Sequence, residues 1–162
     1  MRLLLGLIAL ATLPSSSSIA TEQKQRIGNF LITSEKDRFG EGATAIAIAI
    51  DGGYLLGIRC IQKELSVAVG DASILLSHKW ESGDSFKIKF RADQKPVLER
   101  SAQALNERVL QIEDSEEVMD HLVGAKEAAF RLTSAADVTF DFLVHIRQAD
   151  KVVALVKKAC EK

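Results

Sequence analysis

Between Thr44 and Ile50 the chain alternates without a break: Ile46, Ile48 and Ile50 share one face of an extended segment, and Ala45, Ala47 and Ala49 share the other. A period of two is the mark of a strand, and β-branched side chains suit its pleated surface. Asp51-Gly52-Gly53 follows at once. Adjacent glycines admit the positive φ of a tight hairpin, so Tyr54–Ile61 returns as the partner strand and carries Cys60. The same pattern gives strands at 28–34, with Phe30 and Ile32 on one face, at 64–69, with Leu65, Val67 and Val69 inward, and at 73–80. At 86–91, Phe86, Ile88 and Phe90 alternate with Lys87, Lys89 and Arg91. A charged loop at 35–42 and turns at 62–63, 70–71, 81–84 and 93–96 separate these strands. Residues 97–103 continue as an extended stretch, and 102–112, although rich in good helix formers, reads as two short strands around Asn106.

Beyond Ile112 the period changes. Asp114 with Glu117 three residues on has the form of a capping box, Val118, Met119 and Leu122 make an apolar stripe, and Gly124 stands where a helix ends. A short helix is therefore expected near 115–123. Two further strands, 126–133 and 138–143, flank a turn at 134–137. The chain closes with a helix near 146–160, in which Val152, Leu155, Val156 and Ala159 share a face and Cys160 lies beside it. Short strands joined by tight turns, with two helices late in the chain, define an α+β class: an antiparallel β-sandwich or curved sheet of about 8–9 short strands.

The first twenty residues follow another pattern. Arg2 is the one charge before Glu22, Leu3–Leu13 is an unbroken run of small and apolar residues, and Pro14 and Ser15–Ser18 lead to Ile19-Ala20. That charged, apolar, polar order is a secretory signal, with Ser18 and Ala20 as the small residues required before a cut after Ala20. The apolar run is shorter than the roughly 20 residues that span a bilayer. The expected organisation is a signal peptide at 1–20, a flexible N-terminus at 21–26 and one globular domain at 27–162. The protein would be periplasmic or secreted, with no stable membrane insertion after cleavage. The two cysteines, Cys60 and Cys160, then form a disulfide, the usual state of an even cysteine count outside the cytoplasm.

Charge and motifs narrow the functional classes. Without Arg2, 20 basic residues face 22 acidic ones, a balance that excludes a general nucleic-acid binder or a polybasic membrane binder. His78, His121 and His145 are far apart and match no metal spacing. The chain lacks the G-x-S-x-G nucleophile elbow and a phosphate-binding loop. No cofactor, metal ligand or catalytic residue is expected. One positive feature remains: Lys87, Lys89 and Arg91 on one strand face, which Lys79 or Arg100 on neighbouring strands could widen into a basic strip. Trp80, the sole tryptophan, is expected in or beside the core.

The order of short motifs resembles a known family. A Gly-Asn-Phe opening (Gly28–Phe30) is followed by Leu-x-Ile-Arg-Cys (Leu56–Cys60), Leu-x-Val (Leu65–Val67) and Phe-Arg-x-Asp (Phe90–Asp93). Phe-Asp-Phe (Phe140–Phe142) and a terminal Val-x-Lys-x-Cys (Val156–Cys160) complete it. This order is similar to that of the exported VasI/TagO-like proteins associated with type VI secretion, which have Trp where Phe30 stands and a Gly after the Phe-Asp-Leu strand that this chain lacks. The resemblance implies a non-enzymatic periplasmic accessory protein that contacts an envelope or secretion-machinery protein. It singles out Arg59, next to Cys60, as the residue of most functional interest. A secreted host-interaction or inhibitor protein, and an envelope hydrolase whose site is assembled only on folding, stay open beside it.

Overall fold

The computed structural model describes residues 22–36, 43–73 and 80–161. The signal segment, the strand expected across 73–80, and with it His78 and Lys79, lie wholly or largely outside these residues.

Among these residues ten strands form one antiparallel sheet: β1 (Gln23–Ile27), β2 (Phe30–Lys36), β3 (Ala43–Asp51), β4 (Tyr54–Ile61), β5 (Glu64–Asp71), β6 (Ser85–Ala92), β7 (Leu98–Ala104), β8 (Val109–Ile112), β9 (Glu127–Ser134) and β10 (Thr139–His145). The same residues hold two helices, α1 (Ser115–Leu122) and α2 (Ala149–Cys160). The expected α+β class and curved sheet are therefore observed. The strand order is β1-β2-β3-β4-β5-β8-β7-β6-β9-β10, so the β6–β7–β8 meander is inserted in reverse between β5 and β9.

Phe30, Ala49, Leu56, Val69 and Leu110 lie opposite one another across five strands, and Ile32, Ala47, Ile58, Val67 and Ile112 form the next row. All ten are fully or almost fully buried on one concave face. The helices fill this face: α2 packs on β3, β4 and β5, and α1 on β5, β6 and α2. On β3 the concave side is the alanine side. Ala45, Ala47 and Ala49 are fully buried, and their small side chains let α2 approach with Val152, Val153 and Val156. The isoleucines of the same strand face outward.

The sheet curls until its two ends meet. Asn29, in the β1–β2 turn, donates from Nδ2 to the carbonyl of His145 (2.8 Å) and accepts from the amide of Arg147 (2.8 Å). Asp51, at the end of β3, accepts from the amide of His145 (3.0 Å) and contacts its Nδ1 (2.6 Å). Gly28 has φ of 60°, and a Cβ there would stand 2.0 Å from the carbonyl oxygen of Arg147. Only glycine permits both that backbone conformation and that approach.

Several expectations are corrected. Residues 21–26 are not loose throughout: Gln23–Ile27 pairs with β2, and Gly28-Asn29 is the turn rather than the first part of a strand. As an exposed edge strand β1 has no apolar alternation to read. The strand count accordingly exceeds the about 8–9 expected. Asp114 adopts φ of 48° and makes no side-chain cap. Instead the Ser115 hydroxyl donates to the carbonyl of Ile112 (2.5 Å) and accepts from the amide of Val67 (2.9 Å), tying α1 to β5. The last helix starts at Ala149 rather than 146, because the Ile146 amide still bonds Lys126 and Gln148 makes the corner at φ of 61°.

Candidate functional site

Cys60 on β4 and Cys160 at the end of α2 are joined, with Cα atoms 5.5 Å apart and a separation of 100 positions in sequence. Cys60 points to the concave core, so the bond fastens the last turn of α2 to the sheet. Arg59, its neighbour in sequence, must point the other way. On the convex face it donates from Nη2 to Gln111 Oε1 (2.6 Å) and from Nε to Ser66 Oγ (3.2 Å). Burial lowers its pKa, partly offset by the Glu64 carboxylate, and the guanidinium remains charged. Arg59 is thus a clamp across β4, β5 and β8, bonded to neutral partners and separated from the disulfide by the sheet itself.

The convex face of β6 carries Lys87, Lys89 and Arg91, as the alternation predicted. The opposing residues on β9 and β10 extend this surface. Arg131 lies opposite Lys89, and Asp141 opposite Arg131. Arg131 holds Asp141 with two bonds of 2.8 and 2.9 Å, which raise the pKa of Arg131 and lower that of Asp141. Lys89 pairs with Glu99 on β7 (3.0 Å), and Arg91 donates to Gln94 (3.0 Å). The strip is therefore partly neutralised, with Lys87 and Arg91 carrying the surplus charge. Arg100 does not join it. It sits opposite the buried Ile88, on the concave side, and forms an ion pair with Glu117 of α1. Arg59 shares the convex face with Lys87 but lies four strands away, about 19 Å at the usual strand spacing.

Beside Arg91 the row across the sheet reads Arg91, Ala129, Leu143. The small Ala129 leaves a depression between larger neighbours. It belongs to a groove of about 560 Å³ that also involves Tyr54, Val97, Lys89, Arg131 and Asp141. Val97 and Leu143 are exposed apolar side chains on its flank. Val97, Ala129, Arg131 and Leu143 were not singled out by sequence reasoning. The Arg131/Asp141 pair could have been found from the two alternating strands, had their register been known.

Two other surfaces differ in kind. A groove of about 850 Å³ along α1 is lined mainly by carboxylates, among them Glu64, Glu113, Asp114, Glu116, Glu117 and Asp120. Among the described residues no group of three or more His, Cys, Asp or Glu is placed to hold a metal ion. The convex face of β2 and β3 presents Leu31 and Ile50, 50% and 58% exposed, beside the half-buried Ile48. Trp80 is buried against Phe86 and Phe142, as expected of a core residue, although its Nε1 has no hydrogen-bond partner among the described residues. His121 contacts the Glu117 carbonyl (3.0 Å) on the exposed side of α1. No helix among the described residues is long and apolar enough to cross a membrane.

Fold and site together define a disulfide-closed α+β domain: one curved antiparallel sheet, helices within the curve and a mixed apolar and charged surface outside it. No protein-family model matches the sequence, and no curated protein or solved structure matches it either.

Proposed function

We propose that this protein is a non-enzymatic accessory protein of the cell envelope, acting outside the cytoplasm through protein–protein contacts. The observation that carries the reading is the Cys60–Cys160 bond. A disulfide that secures a terminal helix to a sheet persists in an oxidising compartment and is reduced in the cytoplasm. The leader-like order of residues 1–20 agrees with it, and so does the resemblance to VasI/TagO-like proteins, which makes secretion machinery the first place to look for a partner. The convex surface is suited to contact with another protein, since it combines exposed aliphatic side chains with charged pairs at its rim.

The test is mass spectrometry of the protein recovered from the periplasm, with and without reduction, alongside cross-linking in the intact envelope. A chain beginning at Thr21 and two hydrogens lighter than its reduced form, cross-linked to a defined envelope protein, is the expected result. An uncleaved chain with free thiols would overturn the reading.

A further inference from the structure

We propose that the groove over Ala129 is a binding site for a small organic acid, a compound with one apolar group and one carboxylate. The site goes beyond the contacts with other proteins proposed above and does not depend on them.

The place for the apolar group follows from the register of three strands. On the convex face Ala129 lies between Arg91 of β6 and Leu143 of β10, one strand spacing from each. The two larger residues therefore stand about 10 Å apart across a single methyl group. Val97 precedes Leu98 on β7 and continues the row past Arg91, where it is 50% exposed. The aliphatic stem of Arg91 adds to the same apolar trough. An apolar group laid over Ala129 takes this surface out of water. The groove, about 560 Å³, is of the size that small molecules occupy.

The place for the carboxylate is set by the adjoining row, which reads Asp141, Arg131, Lys89, Glu99. Its two cations are the middle members. With Arg91 they form a triangle beside Ala129, their backbones roughly 5–8 Å apart. The two carboxylates are the outer members and are already engaged, Asp141 by Arg131 and Glu99 by Lys89. Arg91 has no carboxylate partner among the described residues; Gln94 takes one of its five N–H groups. Once Lys89 and Arg131 are paired, the charge left over is that of Arg91, and it suits one carboxylate. A guanidinium holds a carboxylate by two parallel bonds. Arg131 uses Nε and Nη2 on Asp141, so its Nη1 is left for the same ligand. On the opposite side of the row stand Asp93 and Glu127, neither of which lines the groove. The Asp93 carboxylate is turned to the amides of Lys126 and Glu127. The lining itself carries three cations and one carboxylate, so a ligand of positive charge is disfavoured there.

The experiment titrates the disulfide-bonded protein with hexanoate at neutral pH and follows the NMR shifts of individual amides. Hexylamine reverses the charge of the probe, and acetate removes its apolar group. Hexanoate is expected to saturate with a Kd on the order of 1 mM, its shifts centred on Arg91, Ala129 and Leu143, and both controls to bind at least about tenfold more weakly. Ala129→Leu fills the depression from an outward-facing position, and Arg91→Gln removes the unpaired charge. Each should weaken hexanoate by about tenfold. Lys87→Gln removes a cation of the same strand face that does not line the groove, and it should leave the affinity unchanged. The proposal fails if hexylamine binds as well as hexanoate, or if the shifts centre on Leu31 and Ile50. It fails equally if Lys87→Gln weakens binding as much as Arg91→Gln, or if Ala129→Leu and Arg91→Gln, with unchanged urea midpoints, bind like the parent. A leucine–glutamate dipeptide, acetylated and amidated at its ends, offers the same two groups as part of a peptide. Tighter binding of that dipeptide than of hexanoate would give the groove to the side chains of a partner protein and overturn its assignment to a free acid.

Discussion

The two halves of the sheet solve the problem of filling a curve in different ways. In β3–β5 the concave face is built from small or medium residues, Ala45, Ala47, Ala49, Leu56, Ile58 and Val67, and α2 supplies the missing volume. In β6, β9 and β10 it is built from rings. Phe90 stacks on Phe130 with centroids 5.0 Å apart, and Trp80 leans on Phe86 and Phe142 at 5.7 and 6.4 Å. The first half depends on an element brought from the far end of the chain and bolted on by a disulfide. The second is filled largely by its own side chains. The seam between them is made by Tyr54 stacked on Phe142 (4.7 Å) and by the polar contacts of Asn29 and Asp51.

Replacing both cysteines by alanine should have the largest effect, because the bond closes a loop of 100 residues. The chain-entropy model gives about 4–5 kcal/mol for such a loop, read as the loss of unfolding free energy in urea. Trp80 is the sole tryptophan and sits in the aromatic half, whereas far-UV circular dichroism at helical wavelengths reports α1 and α2. If the helical signal is lost before Trp80 fluorescence changes, the halves are separable. A single coincident transition would show that they fold as one unit. Phe90→Ala attacks the other half. Phe90 is fully buried, so about 3–5 kcal/mol should be lost, with Trp80 fluorescence perturbed and the disulfide intact.

Much of this architecture was legible in the alternation of single strands. The faces of β6, the strands around Asn106 and the opposition of Arg59 to Cys60 all follow from a period of two. What was not legible depends on pairing across the sheet. The strip on β6 acquires Arg131 and loses Arg100 because β9 and β7 flank it, and an order in which β8 precedes β7 and β6 cannot be read from one segment. β1 gave no signal because an exposed edge strand has no buried face. On β3 both faces are apolar, so hydrophobicity alone could not say that the alanines go inside. That choice belongs to α2, which needs a shallow surface to lie on.

The third prediction isolates this choice. Ala47 is fully buried between Ile32 and Ile58, whereas Ile50 on the opposite face is largely exposed. Ala47→Leu adds volume where α2 must lie and should cost about 1–3 kcal/mol, read as a lowered midpoint in urea. Ile50→Ser, three residues along the same strand, removes exposed apolar surface and should stay within about 0.5 kcal/mol of the parent. Equal effects of the two substitutions would mean that the alanine face is not shaped for the helix.

The smallest effect concerns the seam. The His145 backbone amide, and then its ring, hold the carboxylate form of Asp51, so its pKa lies below the ordinary 3.8. In that window the unfolded chain binds the proton and the folded chain does not. The contribution of Asp51 is therefore complete above about pH 4 and is lost as the pH falls through the folded value. Asp51→Asn should lower stability slightly at neutral pH and flatten this part of the acid limb, measured by urea midpoints between neutral pH and about pH 2. Asp141 also has a lowered pKa, through its bonds to Arg131, and Asp141→Asn should bend the acid limb in the same direction. The two differ in place. Asp51 joins the helix-covered half to the end of β10, whereas Asp141 pairs β10 with β9 inside the aromatic half. Loss of Asp51 should therefore speed hydrogen exchange at the amides of His145 and Arg147, where the seam is bonded, and loss of Asp141 should leave them slow. If both variants open those amides equally, the seam is not a separate contact and the division into two halves falls with it.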